Sequence, residues 1–188
     1  MRSTILSGYL MAAVLLSVGI AGAASKGNDN LPSGDEQIAQ KIRHEILVYP
    51  HFSIFDDVSF RVSAGQVELI GAVNQPFKKK DLERLAFQVP GVNGVTNGLK
   101  VLPLSTADDR LRLQIARAIY RDPALSRYAI QAVPPIHIIV DNGHITLTGV
   151  VSNELEKNIA GVRAASVGLS FGPVTNNLQV EHPAPNKG

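Results

Sequence analysis

Apolar and polar residues alternate along two stretches of the chain, residues 58–73 and 138–151, and a pair of turn residues interrupts each stretch once. Alternation with a period of two is typical of β-strands that bury one face. The interruptions are Ala64-Gly65 and Asn142-Gly143, and the second strongly favours a two-residue hairpin loop because Asn and Gly both tolerate positive φ. Both stretches are therefore predicted to be β-hairpins. The predicted cross-strand pairs are Phe60 with Leu69, Arg61 with Glu68, Val62 with Val67, Ile138 with Leu147 and Val140 with Ile145.

Apolar residues at helical spacing precede and follow each hairpin, and they predict four amphipathic helices. The first follows a capping box, Ser33-Gly34-Asp35-Glu36, and ends before Pro50. The second follows Asn74-Gln75-Pro76, the third begins with a similar capping pattern at Thr106, and Ser152 is predicted to cap the fourth. The positions predicted to face inward are Ile38, Ile42, Ile46 and Tyr49; Leu82, Leu85, Ala86 and Val89; Leu111, Ile115, Ala118 and Ile119; and Leu155, Ile159, Val162 and Ala165.

The two halves of the chain repeat one another. The first capping pattern recurs 73 residues later, and the hairpin glycines recur 78 residues later because the second half has extra residues around Pro134. Each half closes with a similar strand, V-T-N-G-L-K-V at 95–101 and V-T-N-N-L-Q-V at 174–180. The predicted fold class is α+β, with two tandem αββαβ two-layer sandwiches. Each sandwich has a three-stranded mixed sheet covered by two helices.

The repeat divides the chain into residues 33–102 and 108–181, with a linker at 103–107 and a tail at 182–188. A copy of roughly 65 to 75 residues is close to the smallest size that folds independently. We therefore expect the two copies to pack against each other.

The N-terminal residues have the composition of an export signal. Residues 1–24 combine Arg2, a short apolar run and Ala21-Gly22-Ala23, which predicts a secretory signal peptide; an uncleaved anchor is the alternative. Residues 25–32 are predicted to be a flexible leader. The chain has no cysteine, which excludes disulfides, thiolate metal sites and lipidation on cysteine. These features predict an exported protein that is either periplasmic or secreted.

The charge balance and motif content argue against two classes of function. Without residues 1–24 the chain has 17 basic and 16 acidic residues, because Arg2 is the one charged residue removed, and this near-neutral balance argues against nucleic-acid binding. The five histidines lack metal-ligand spacing, and neither a phosphate-binding glycine loop nor a G-x-S-x-G motif is present. Asp141 and His144 face each other across a hairpin loop, as an acid–base pair or, alternatively, as a cross-strand surface pair. We predict no catalytic residues, no metal and no cofactor.

The third predicted helix carries the main candidate binding surface. Arg110, Gln114, Arg117 and Arg121 fall within a wedge of roughly 60°, opposite the apolar positions of the same helix. Arginine forks suit phosphate groups, and a tyrosine ring suits a membrane interface. The predicted lipid- or anion-binding residues of this helix are Arg110, Arg112, Arg117, Tyr120 and Arg121, and the alternative is an ordinary solvated face.

A second candidate is the run Lys78-Lys79-Lys80 at the start of the second helix. Cations at this end of a helix are destabilising because they oppose the helix dipole. They also concentrate positive charge beside free backbone amides, where a phosphate binds readily. The alternative is again a solvated surface.

The order of these elements resembles the BON domain of bacterial exported proteins. The resemblance is carried in the second copy by the pattern N-G-x-I-x-L-x-G-x-V, with Asn142, Gly143 and Gly149, and in the first by Gly65 and Gly71. Both copies end in V-x-N-x-L-x-V. A signal peptide followed by two such domains without a lipidation cysteine is similar to the osmotically inducible periplasmic protein Y group.

The resemblance implies a non-enzymatic periplasmic protein that associates weakly with anionic phospholipid surfaces and supports envelope integrity under osmotic or envelope stress. An alternative implied function is a chaperone or assembly factor for exported proteins. In that case sheet edges would accept an added strand from a client.

Overall fold

The structure, a computed structural model, describes residues 34–168 and 172–181, which form four helices and two hairpin-based sheets. The first copy contains α1 (Gly34–Val48), β1 (Asp57–Ser63), β2 (Gln66–Val73), α2 (Pro76–Gln88), β3 (Gly94–Asn97) and β4 (Lys100–Val101). The second contains α3 (Thr106–Tyr120), a 3-10 turn (Ser126–Tyr128), β5 (Ile136–Asp141), β6 (His144–Val151), α4 (Glu154–Ala165), β7 (Thr175–Asn176) and β8 (Gln179–Val180). The predicted signal peptide, leader and tail lie outside the described residues.

Each sheet is mixed, with the second hairpin strand in the middle. β1 and β2 are antiparallel, as are β5 and β6, and all five predicted cross-strand pairs are confirmed. β3 and β4 run parallel to β2, and β7 and β8 run parallel to β6. The closing strand of each copy was predicted to be continuous, but it is broken in the middle. In the first copy the break lies at Gly98-Leu99, where the side-chain oxygen of Asn97 accepts a hydrogen bond from the Leu99 amide.

Each copy has its own apolar core between the sheet and its two helices. The first core is built from α1, β1, β2 and α2, and the second from α3, β5, β6 and α4. Gly71 and Gly149 have positive φ angles of 121° and 112°. A Cβ atom on Gly149 would lie 1.8 Å from the carbonyl oxygen of Pro135, so only glycine fits where β6 approaches the residue before β5 this closely.

An aspartate on the first helix of each copy holds the hairpin turn. The carboxylate of Asp35 accepts hydrogen bonds from the amides of Ala64 and Gly65, and that of Asp108 accepts them from Asn142 and Gly143. Ala64 and Asn142 have positive φ angles of 49° and 51°. The carboxylates therefore stabilise a turn whose first position is strained for a residue with a side chain.

The capping residues of two helices differ from the prediction by one position. Ser105, rather than Thr106, caps α3 by accepting a hydrogen bond from the Asp108 amide, so the helix begins inside the segment 103–107 that was predicted as linker. Asn153, rather than Ser152, caps α4.

The inward face predicted for α4 was wrong at three of its four positions; the fourth, Ile159, is half-buried and packs on the second core as predicted. Leu155, Val162 and Ala165 are exposed, and the buried positions are Glu156, Ala160 and Ala164. Glu156 turns inward because it receives hydrogen bonds from the Tyr128 hydroxyl at 2.5 Å and from Arg127 at 2.6 Å. Burial opposes ionisation of this carboxyl, but these donors and the Ser152 amide hold its pKa below the usual range. Two small alanines then bring the rest of the helix close to the sheet.

The two copies pack against each other, as expected from their small size. The carbonyl of Ile54 accepts a hydrogen bond of 2.7 Å from the Ile138 amide at the outer edge of β5. Ile54 and Phe55 pack on the second core, and His137 Nδ1 lies 2.6 Å from the carbonyl oxygen of Asp56. Lys100 and Asp141 form an ion pair across the junction. The segment 54–56 of the first copy thus covers the edge strand of the second.

None of the helices within 34–168 is long and apolar enough to cross a bilayer.

Candidate functional site

Two arginines of α3 and the arginine that follows its last residue lie on one exposed side of this helix. Arg110, Arg117 and Arg121 are all exposed, as predicted, and Gln114 lies among them. Within residues 34–168 and 172–181, none of the three guanidinium groups is paired with a carboxylate. Leu113, which borders this row on the helix, is 48% exposed. The face therefore presents unneutralised positive charge beside an exposed apolar side chain.

A fourth arginine joins this face from α4. Arg163 Nε donates a hydrogen bond of 2.6 Å to Oδ2 of Asp122, the residue that follows α3 by two positions. The Ala124 amide and the Arg163 guanidinium hold the pKa of Asp122 below its usual range. Arg117, Arg121 and Arg163 line a shallow depression of about 410 Å³. Below, the surface formed by Arg110, Arg117, Arg121 and Arg163 is called the basic face.

Arg163 was not predicted as a site residue, since its spacing within α4 does not indicate a partner 41 residues earlier in the chain. The one available signal was the repeat. Its 78-residue offset aligns Arg163 with Leu85, so the second copy has a charged residue where the first has an apolar one.

The prediction that Arg112 contacts a ligand was wrong. Its side chain is almost fully buried, and it donates hydrogen bonds of 2.6 Å to Asp109 Oδ1 and to the carbonyl oxygen of Val140. Arg112 therefore connects α3 to β5 and is unavailable at the surface.

Tyr120 is also turned inward rather than toward solvent. Its hydroxyl donates a hydrogen bond of 2.6 Å to the carbonyl oxygen of Ile136, and its ring packs on the second core. Burial raises the pKa of this hydroxyl well above its ordinary value. The predicted role as an interfacial ring is contradicted by this placement.

The lysine run 78–80 does not act as one cluster. Lys78 is buried, and its Nζ lies 2.6 Å from Oδ2 of Asp56, which is fully buried. Lys79 is half-buried and Lys80 is exposed. Since α2 turns Lys78 onto the same side as Leu82, one of the three predicted anion-binding lysines is a core residue.

The basic face belongs to the second copy alone. The residues of the first copy that align with Arg110, Arg117, Arg121 and Arg163 are Gln37, His44, Val48 and Leu85. Neither α1 nor α2 has a basic residue in its last turn, whereas α3 and α4 have Arg117 and Arg163 there. The fold therefore does not require these arginines.

The predicted hairpin pair Asp141 and His144 lie opposite each other in the sheet, but Asp141 is paired with Lys100 and accepts a hydrogen bond from Asn142. Within the described ranges, no group of three or more His, Cys, Asp or Glu residues is placed to hold a metal ion.

The sequence profile of the BON domain matches residues 34–103 and 107–182. The chain belongs to the BON domain family. BON domains bind phospholipids, occur in envelope proteins of the osmotic stress response, and are in general non-catalytic. The two matched ranges correspond to the two copies of the fold, so the predicted tandem BON architecture is confirmed.

Solved structures add a distant similarity. The chain is 18% identical to CdsD, a structural protein of the type III secretion system of Chlamydia trachomatis, over 77% of this chain and 61% of that chain, with a TM-score of 0.30. The C-terminal domain of CdsD is 14% identical, over 75% of this chain and 96% of that chain, with a TM-score of 0.26. TM-scores this low do not establish a shared overall arrangement. No curated protein sequence matches the chain.

Proposed function

We propose that this tandem BON protein is a non-enzymatic binding protein of the periplasm that associates with anionic phospholipid surfaces and supports envelope integrity under osmotic or envelope stress, as in the osmotically inducible periplasmic protein Y group. The observation that carries the proposal is the basic face of the second BON domain, in which Arg110, Arg117 and Arg121 have no carboxylate partner among the described residues.

The charge on this face is suited to weak, reversible attachment. A basic side chain close to an anionic membrane contributes about 1 kcal/mol. Arg110, Arg117 and Arg121 would thus contribute about 3 kcal/mol in the same approximation. Leu113 lies beside them and would add a small apolar contact at the headgroup level. Binding of this strength is peripheral and falls with added salt.

Vesicle cosedimentation tests the proposal with a matched pair of variants. Arg117→Glu with Arg121→Glu reverses two charges on the basic face, and Lys41→Glu with Arg43→Glu reverses two exposed charges on α1. Both variants change the net charge equally. Removing two favourable charges costs about 2 kcal/mol, so the first variant should bind anionic vesicles at least roughly 30-fold more weakly. The second should retain most of the binding.

Wild-type binding should require anionic lipid and should decrease with ionic strength. Equal binding to anionic and neutral vesicles would refute the proposal. Equal losses in the two double variants would show that net charge, rather than the basic face, governs attachment.

A second candidate function, a chaperone for exported proteins, is favoured by the outer edge of β1. The outer edge of β5 is covered by segment 54–56. Within the described residues, β1 pairs with β2 on one side, and no strand pairs with its other side. Such an edge accepts an added strand from an unfolded chain. Suppression of client aggregation in the absence of lipid would support this function. The backbone of Phe60 corresponds to that of Ile138. Because the Phe60 side chain is buried in the first core, Pro is placed at the half-buried Val62, two positions further along the same side of β1. This variant should keep its far-UV circular dichroism spectrum and lose the suppression.

A further inference from the structure

The depression at the ends of α3 and α4 is organised more specifically than a charged surface requires. Asp122 is 8% exposed, and its carboxylate fixes the Arg163 guanidinium at 2.6 Å, so that this side chain lines the same depression as Arg117 and Arg121. Arginine side chains carry a large rotamer entropy, and an ion pair to a buried carboxylate removes much of that freedom before any ligand arrives.

The local charge balance leaves a deficit of about one negative charge. Three guanidinium groups and the Asp122 carboxylate line the depression. α3 and α4 both end there, and each helix C-terminus contributes a partial charge of about −0.5. Three positive charges are thus opposed by about two negative ones. A ligand with a single negative charge would neutralise the remainder, whereas a phosphomonoester with a charge of about −1.5 to −2 would exceed it.

The arginines are not explained by helix capping alone. In the first BON domain, the equivalent positions at the ends of the two helices are occupied by His44, Val48, Tyr49 and Leu85. There the Tyr49 hydroxyl donates a hydrogen bond of 2.6 Å to Asp81. The fold therefore ends these helices without an arginine cluster in the first domain, and the cluster of the second domain is a separate feature.

We propose that the depression lined by Arg117, Arg121 and Arg163 is a recognition site for one phosphodiester group. The planar forks of the guanidinium groups match the phosphate oxygens in pairs, and Asp122 acts as a positioning residue for Arg163. This inference rests on the proposed function, because a lipid headgroup is one source of the phosphodiester. A soluble phosphodiester in the periplasm is the other source.

The test separates recognition of the phosphate group from attraction by charge. Arg117→Lys with Arg121→Lys keeps both charges and removes two forks. Arg43→Lys with Arg84→Lys makes the same change on exposed side chains of the first domain. Each protein, as the full chain, is titrated with glycerophosphoglycerol, a soluble phosphodiester, while the arginine Nε–Hε signals are followed by NMR. Each is also mixed with vesicles of equal surface charge that contain either phosphatidylglycerol or a fatty-acid carboxylate.

The wild type should show saturable shifts at Arg117, Arg121 and Arg163, and should bind phosphatidylglycerol vesicles more tightly than carboxylate vesicles. The first variant should bind glycerophosphoglycerol about tenfold more weakly, equivalent to one charge-assisted hydrogen bond, and should lose the preference between vesicles. The second variant should match the wild type. Saturable shifts without any vesicle preference would support the site for a soluble phosphodiester.

Two results would overturn this inference. The first is the absence of saturable shifts at the three arginines of the wild type. The second is an equal affinity of the wild type and the charge-conserving variant for glycerophosphoglycerol, measured in both from the Arg163 signal. If the wild type binds both kinds of anionic vesicle equally and shows no shifts, the phosphodiester site fails and the proposed surface attachment stands. If it binds no anionic vesicle better than a neutral one, the proposed function itself fails.

Discussion

Replacement of Lys78 by Met should destabilise the protein strongly, although the residue lies in a run of three lysines. The Lys78 Nζ and the Asp56 Oδ2 are 2.6 Å apart, and the two side chains are 6% and 0% exposed. Met fills most of the same space but leaves the carboxylate without its cation. Removing one member of a buried ion pair costs about 3–5 kcal/mol. The Ser53 amide, the Ser53 hydroxyl and the Asn74 amide still donate to Asp56, so we expect the lower value, about 3 kcal/mol.

Urea unfolding followed by far-UV circular dichroism measures this effect. With a slope of about 2 kcal/mol per molar urea, a loss of 3 kcal/mol lowers the midpoint by about 1.5 M. Lys80→Met is the matched control, because Lys80 is exposed on the same helix, and its effect should stay within about 0.5 kcal/mol. Neither change should reduce vesicle binding by more than the loss of one distant charge. Similar midpoints for the two variants would refute the assignment of Lys78 to the core.

Three further predictions concern the second domain. Arg112→Met should lower the free energy of unfolding by about 2 kcal/mol, because it leaves the Val140 carbonyl of β5 without its donor. Vesicle binding should persist, and a loss of binding without a loss of stability would show that Arg112 contacts the ligand after all. Gly149→Ala should cost more than about 3 kcal/mol through strain and the clash with Pro135, whereas Gly34→Ala, where space is open, should be nearly neutral in the same urea assay. Burial lowers the pKa of His137, so its neutral form is favoured in the folded state. The contribution of neutral His137 to the free energy of unfolding is therefore fully present above the unfolded-state pKa of about 6.5. This contribution is lost as the pH falls below that value. His137→Asn should flatten this part of the stability curve, and an unchanged slope between pH 7 and 5 would contradict the assignment.

The hairpins and the duplication could be predicted because their signals are local. Asn142-Gly143 determines a two-residue loop, and the loop then determines every cross-strand pair of β5 and β6. The interruption of each closing strand was missed because it depends on contacts between strands. The carbonyl oxygen of Leu69, on the neighbouring strand, accepts a hydrogen bond from the Gly98 amide. No sequence pattern within 95–101 indicates this hydrogen bond.

The buried charges were harder to predict because apolar periodicity gives no indication of a polar partner. Lys78 is one turn before Leu82 and shares its face of the helix, and Arg112 lies beside Ile119 on the helical wheel. Their positions on the helical wheel agree with burial, but both residues were predicted to contact a ligand because they are charged. The partner of Lys78, Asp56, lies 22 residues away, and only the tertiary structure shows that it is buried.

The basic face was predicted in part. The spacing of Arg110, Arg117 and Arg121 predicts that they share one exposed side of the third helix, and all three are exposed in the structure. Arg163 could not be assigned to the same surface, since its position depends on how α4 packs beside α3. The inward face of α4 was itself misjudged, because Glu156 is buried in place of Leu155.

The most direct test of the central claim is paramagnetic broadening of backbone amide signals on anionic vesicles that contain a gadolinium-chelating lipid. The aligned helices α1 and α3 provide an internal comparison, as they hold equivalent places in the two BON domains. The account predicts strong broadening at Arg110, Arg117 and Arg121, with little change at the aligned residues of α1, Gln37, His44 and Val48. Equal broadening of both helices, or broadening confined to α1, would contradict the assignment of membrane binding to the basic face.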